Sequence, residues 1–153
     1  MKLSKNFTLA EFTRSATALR MDIDNTPPPG VEANIQALVT SVLQPLRDKF
    51  GPIRVTSGYR SPELNRHVPG AAANSQHCTG EAADIEPVAE GATVADLFIY
   101  TVEHLPFDQV IFEYPPNGWL HVSFGPRHRR DKFVKRAFAG YKPVTVKDGR
   151  VDE

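Results

Sequence analysis

Sulfur is scarce in this chain, which holds one cysteine, Cys78, and two methionines. A lone cysteine excludes an internal disulfide and any structural zinc knot built on several thiolates. Long apolar runs are missing too. Residues 1–12 carry none, so no secretory signal is read there. No 18-residue apolar stretch occurs anywhere, so no membrane-spanning helix is expected. Neither sign of charge dominates: 18 basic and 18 acidic side chains cancel. That balance excludes the broad electrostatic footprint of a general nucleic-acid binder. No repeat and no low-complexity segment is visible. What remains is ordinary globular composition, 41% hydrophobic and 24% charged over 153 residues. A chain of this length makes one domain with a real core.

The periodicities assign the elements. Thr8-Leu9-Ala10-Glu11 has capping-box spacing and predicts a short helix from Thr8. Asn25 to Gly30 is a breaker cluster. Val31, Ile35, Leu38, Val39, Val42, Leu46 and Phe50 then mark one face of a long helix. Pro45 should kink it and Gly51-Pro52 should stop it. Short strands are expected at 53–57, 82–85, 109–113 and 119–124, with another over 133–138. Ser61-Pro62 starts a helix, and Thr93 caps a further one with Val94, Leu97, Phe98, Val102 and Leu105 inward. Pro69 to Ser75 reads as a loop. The sum is a single α+β domain, with helices first and then a small, mainly antiparallel sheet.

One stretch is dense in chemistry: Ser75-Gln76-His77-Cys78-Thr79-Gly80-Glu81-Ala82-Ala83-Asp84. Gly80 lets the chain turn, and a loop followed by a strand can bring His77 and Asp84 to one point. A third candidate is His121. In Trp119-Leu120-His121-Val122-Ser123-Phe124, alternation sends Leu120, Val122 and Phe124 to the core and His121 to the opposite face. Two histidines and one aspartate suit Zn²⁺. Three protein donors leave a fourth position for a reacting group, the catalytic rather than the structural arrangement.

Ser75, His77, Gly80, Ala82 and Asp84 fill every fixed position of S-x-H-x-x-G-x-A-x-D. That pattern resembles the zinc D-alanyl-D-alanine carboxypeptidase family, whose relatives include vancomycin-resistance dipeptidases, phage endolysins and the hedgehog signalling domain. Ser57-Gly58-Tyr59-Arg60-Ser61 is similar to the family's other fixed segment. Phe107 to Glu113, followed by Trp119 to Ser123, is similar to its last part. The segment from Phe7 to Phe50 looks like the small stand-alone, phage-type members. The resemblance implies a hedgehog/DD-peptidase-like fold over 1–138, with 139–153 as a C-terminal extension open to partial disorder.

It also implies roles. His77, Asp84 and His121 match the ligands of one zinc ion. Glu113 matches the acid/base that moves a proton from water to the leaving amine. Arg60 matches an arginine that holds a substrate carboxylate or carbonyl, a task suited to its fork. Ser75 is expected to steady the His77 loop or touch substrate; Trp119, on the same strand face as His121, is expected to line the substrate cleft or to serve packing. The sequence departs from the family at Trp119, where many relatives carry a second histidine. It departs again at Gly118, where others carry the acid in E-x-x-H spacing. Glu113 is eight residues upstream of His121, and Glu86, two beyond Asp84, is the fallback.

Other residues read as ordinary. His67, His104 and His128 are incidental, Cys78 is a buried or half-buried free thiol, and Asn65 is a helix-surface or loop contact. Arg127, Arg129, Arg130, Lys132, Lys135 and Arg136 form a basic run, read as a solvated face or as a surface for anionic wall polymer. The expected function is hydrolysis of peptidoglycan stem peptides, as a carboxypeptidase or an endolysin-type endopeptidase. The protein would be a monomer made in the cytoplasm that acts on the wall after release, with no nucleic-acid or membrane partner. The alternatives are a non-catalytic zinc-containing binding module and a phage structural component.

Overall fold

The computed structural model describes residues 1–153. Two short helices open the chain, α1 (Leu9–Thr13) and α2 (Ala16–Arg20). In α1 the Glu11 carboxylate accepts from the Thr8 N–H at 2.7 Å, as the capping spacing requires. The helix α2 was not anticipated; Ser15 caps it by accepting from Ala18 N–H at 3.1 Å.

The predicted long helix is present with a defect. It runs as α3 (Pro29–Leu38), a π-helical turn (Val39–Leu43) and α4 (Gln44–Phe50). Pro45 has no N–H, and its ring crowds the carbonyl one turn earlier. The backbone widens just before it, so that Gln44 N–H bonds to the Val39 carbonyl. Leu38, Val39, Val42, Leu43 and Leu46 still reach the core without exposure. Each such side chain contributes about 1.5–3 kcal/mol.

Six strands form the main sheet in the order β1-β2-β4-β3-β5-β6. They are β1 (Ile53–Ser57), β2 (Ala82–Pro87), β3 (Gln109–Glu113), β4 (Trp119–Ser123), β5 (Asp131–Lys135) and β6 (Tyr141–Pro143). All pairs are antiparallel except β3 with β5. Between β1 and β2 lie α5 (Pro62–Arg66) and a 3₁₀ turn (Gln76–Thr79). Between β2 and β3 lies α6 (Val94–His104), closed at its start by a reciprocal Thr93–Asp96 box.

One face of the sheet is apolar. Ala83, Ile85, Leu120, Val122, Val110, Phe112 and Val134 join Leu97 and Phe98 of α6 and the α3–α4 face in one core. No helix is long and apolar enough to cross a membrane.

Two sequence expectations meet a different outcome. The strand expected over 133–138 is Asp131–Lys135, and the chain then turns through Phe138 at a φ of 60°. Residues 139–153, read as an extension, carry three strands: β6 pairs with β5, and β7 (Thr145–Lys147) and β8 (Arg150–Asp152) form a hairpin. Val144 is buried in the core between them. Hydrophobic pattern is faint over three-residue strands, and only pairing reveals them.

Candidate metal centre and its cleft

Cross-strand register builds the site. Residues directly opposite in a sheet share a face. Asp84 stands opposite His121, His121 opposite Ile111, and Ile111 opposite Phe133. One step along the strands, Trp119 stands opposite Glu113, Glu113 opposite Lys135, and Lys135 opposite Tyr141. These two rows floor a cleft of about 720 Å³ on the face away from the core. The loop carrying Arg60 and the segment from Val68 to His77 form its rim.

His77 reaches over this floor from the 3₁₀ turn. Ser75 Oγ accepts from the His77 backbone N–H at 3.1 Å, which starts that turn. Gly80 ends it at a φ of +76°, where a Cβ would lie 2.6 Å from the Val31 carbonyl oxygen. Both the backbone angle and the close approach demand glycine. The His77 ring is buried, and its Nδ1 lies 2.7 Å from the Gly58 carbonyl. A carbonyl can only accept, so Nδ1 carries the proton and Nε2 keeps the lone pair.

The carbonyl that orients His77 is itself pinned. Tyr59 N–H donates to the Phe12 carbonyl at 2.6 Å, and a Cβ on Gly58 would strike the Phe12 backbone at 2.6 Å. Buried Asn25 donates to the Thr13 and Tyr59 carbonyls and accepts from Ser61 N–H. The N-terminal helices therefore hold the Ser57–Ser61 segment in place.

The three donors meet. His77 Nε2 lies 3.5 Å from Asp84 Oδ1, and His121 Nδ1 lies 3.0 Å from the same oxygen. One donor atom from each residue falls within 4.8 Å of the other two. Tetrahedral zinc with bonds of about 2.0–2.2 Å needs donor separations of about 3.4 Å. The free lone pair on His77 and the clustered oxygen of Asp84 fit one divalent cation. Burial works to raise the Asp84 carboxyl, but its hydrogen bond with His121 and the close approach of the His77 ring outweigh it and hold it well below the ordinary carboxylate range. Asp84 is thus an anion ready to ligate.

Glu113 is half-buried on the cleft floor. Burial, and then repulsion from Asp84, raise its carboxyl above the ordinary value. The Trp119 indole N–H lies toward Glu113 but closes no hydrogen bond, and Trp119 Nε1 is buried without a partner. Arg60 lines the rim. Its Nη2 reaches Ser75 Oγ at 3.5 Å, while its buried Nε has no partner. Burial lowers the Arg60 guanidinium from its ordinary value, and the attraction of Asp84 opposes that.

Glu86 drops out as the alternative acid. Its carboxylate pairs with Arg54 and lies outside the cleft. The acid's absence from position 118 also has a cause: a Cβ there would stand 1.8 Å from the Glu113 carbonyl oxygen. Cys78 is a free, half-buried thiol, and burial pushes it up. Asn65 is buried on α5 and makes a loop contact, donating to the Ala72 carbonyl at 2.8 Å.

The basic run is not uniformly solvated. Arg129 grips fully buried Asp108 through Nε at 3.1 Å and Nη2 at 2.8 Å, and also donates to Gln76 Oε1 at 2.9 Å. Gln76 returns a bond to Asp108 at 2.9 Å, so this clamp anchors the turn that carries His77. Ser123 is buried beneath the cleft, its hydroxyl 3.5 Å from Asp108 Oδ2. Arg130 donates to the Leu105 and Val102 carbonyls and lies 4.0 Å from the Phe107 ring centroid, capping the end of α6. No local sequence signal marks either arginine, because both partners are distant in the chain. Tyr141 was missed for the same reason. Burial, with the nearby charge of Glu113, pushes its hydroxyl up.

An α+β domain that sets two histidines and an aspartate on the floor of a cleft, with a carboxylate and an arginine beside them, is the scaffold of a mononuclear metallohydrolase. Residues 5–123 match the family model described as Peptidase M15, and the chain belongs to that family. A search of curated proteins found no match to it.

Proposed function

We propose that the protein is a zinc-dependent peptidase that hydrolyses peptide bonds in peptidoglycan stem peptides. The observation that carries this reading is the convergence of His77, Asp84 and His121 within 4.8 Å on the floor of an open cleft. Those three residues would hold the ion. When bound, zinc polarises a carbonyl and lowers the pKa of water from about 15.7 to about 7.

The remaining work falls to the chain's own side chains. Glu113, with its raised carboxyl, accepts the proton of the attacking water and returns it to the leaving amine. Arg60 offers unfilled donors to the terminal carboxylate or to the carbonyl oxygen as charge develops there. Ser75 holds both the His77 turn and Arg60 in register. Trp119 supplies an apolar wall with an uncommitted indole N–H. The protein works as a monomer and reaches the wall after release from the cell that makes it.

Incubation of the zinc-loaded protein with purified sacculi tests the reading. New amine groups should be released, and a chelator should stop their release. Mass spectrometry of the fragments separates loss of a terminal D-alanine from an internal cut. Intact sacculi with one equivalent of zinc bound would instead mark a non-catalytic binding module.

A further inference from the structure

The sheet order sets four chemical groups in line across the cleft: Arg60 beyond β1, the metal donors Asp84 and His121 on β2 and β4, Glu113 on β3, and Lys135 with Tyr141 on β5 and β6. The last pair lies outside residues 5–123, the part that matches the family. We propose that Lys135 and Tyr141 form a subsite for a substrate carboxylate, on the side of the metal donors opposite Arg60.

The Lys135 ammonium is placed for this. It donates to the Arg136 carbonyl at 2.9 Å and to the Ala139 carbonyl, both in the turn joining β5 to β6. Those bonds use two of its three donors and keep one for a ligand. The Tyr114 and Tyr141 rings flank it, with centroids 5.8 Å and 6.0 Å from Nζ. Such a cage limits the motion of a long side chain and lowers the entropy lost when an anion is bound. Lys135 forms no ion pair with its neighbour Glu113, so its charge is not consumed within the protein. The cleft as a whole favours an anion. Arg60, Arg127, Arg129 and Lys135 line it against Asp84 and Glu113, and only Arg129 is neutralised by a buried partner.

Spacing sets the position of the carboxylate. From β4 to β5 is two strand intervals, about 10 Å, or about three residues of extended peptide. The subsite therefore takes an acidic side chain about three residues on the N-terminal side of the cleaved bond, while Arg60 takes the leaving end. This assignment rests on the peptidase reading above, but its test does not need turnover.

The probes are two stem pentapeptides, alike except that the α-carboxyl of the glutamyl residue is free in one and amidated in the other. Their binding to the zinc-loaded Glu113→Gln protein is measured by calorimetry. The free carboxylate should bind about tenfold more tightly than the amide. Lys135→Gln in the same background should erase that preference, and Tyr141→Phe should reduce it in part. Unchanged thermal midpoints show that the variants fold. Equal affinity for the two peptides, binding of neither, or a preference that survives Lys135→Gln overturns the subsite. Hydrolysis by the unsubstituted protein is scored separately. Its absence with the preference intact removes the peptidase reading and leaves the subsite standing.

Discussion

Glutamine at position 113 keeps the shape of the glutamate but cannot take up a proton. Glu113→Gln should lower the rate of stem-peptide hydrolysis by about 10²–10⁴-fold while zinc still binds at one equivalent. Metal analysis beside a fragment assay checks both halves; retained turnover would exclude Glu113 as the acid/base. Asp84 is the opposite case. Its carboxylate oxygen is the point on which both histidines converge. Asp84→Asn should weaken zinc by more than the roughly 10–100-fold that outer hydrogen-bond partners typically cost. Competition against a chromogenic chelator measures it. Gly80, Gly118 and Gly58 are explained at this scale too, since each stands where a Cβ would meet backbone at 2.6 Å or less.

At the scale of elements, the C-terminal strands are part of the domain. Val144 fills the core beside Val134, and its removal from that environment has a clear cost. Val144→Asp places an unpaired carboxylate among apolar side chains and should destabilise the fold by about 2–4 kcal/mol. Urea denaturation reads that as a lower midpoint at unchanged slope. A midpoint equal to that of the parent would mean that β6 to β8 do not contribute to the core.

Most helices and the first four strands were legible in the chain, because capping residues and a regular apolar period are local signals. Trp119 and His121 followed the alternation, while the burial of Ser123 under the Asp108–Arg129 clamp was not legible. The π-helical turn before Pro45 was legible as a kink but not as its type. Helix α2 and the strands after residue 139 were not legible; the strands, at three residues, are too short to show a period.

Across the whole molecule, the buried acid Asp108 links stability to pH. Burial raises its carboxyl, yet the bonds from Arg129 and Gln76 outweigh that and hold it well below the ordinary value. A depressed native pKa means that the unfolded chain binds the proton more readily. The stabilisation is therefore fully present above an ordinary carboxylate pKa of about 4 and is lost as pH falls toward the native value. Urea midpoints of the metal-free protein should be level near neutrality and fall steeply below about pH 4. Asp108→Asn should lower stability at neutral pH by about 3 kcal/mol or more and flatten the acid limb. A limb of unchanged steepness would assign acid sensitivity to other groups. Because the clamp holds Gln76 beside His77, the same variant should also loosen zinc.

By itself the sequence determined the chemistry available: which donors exist, their order along the chain, and the turns and caps that shape each short piece. Those depend on neighbouring residues and follow from local physics. Only the tertiary structure decided that Lys135 and Tyr141 line the same cleft as Glu113, that Arg129 is tied to Asp108, and that Glu86 is taken by Arg54. Each of these is set by strand pairing or packing between residues far apart in the chain. The choice among such pairings is made by the fold as a whole, so no local pattern records it.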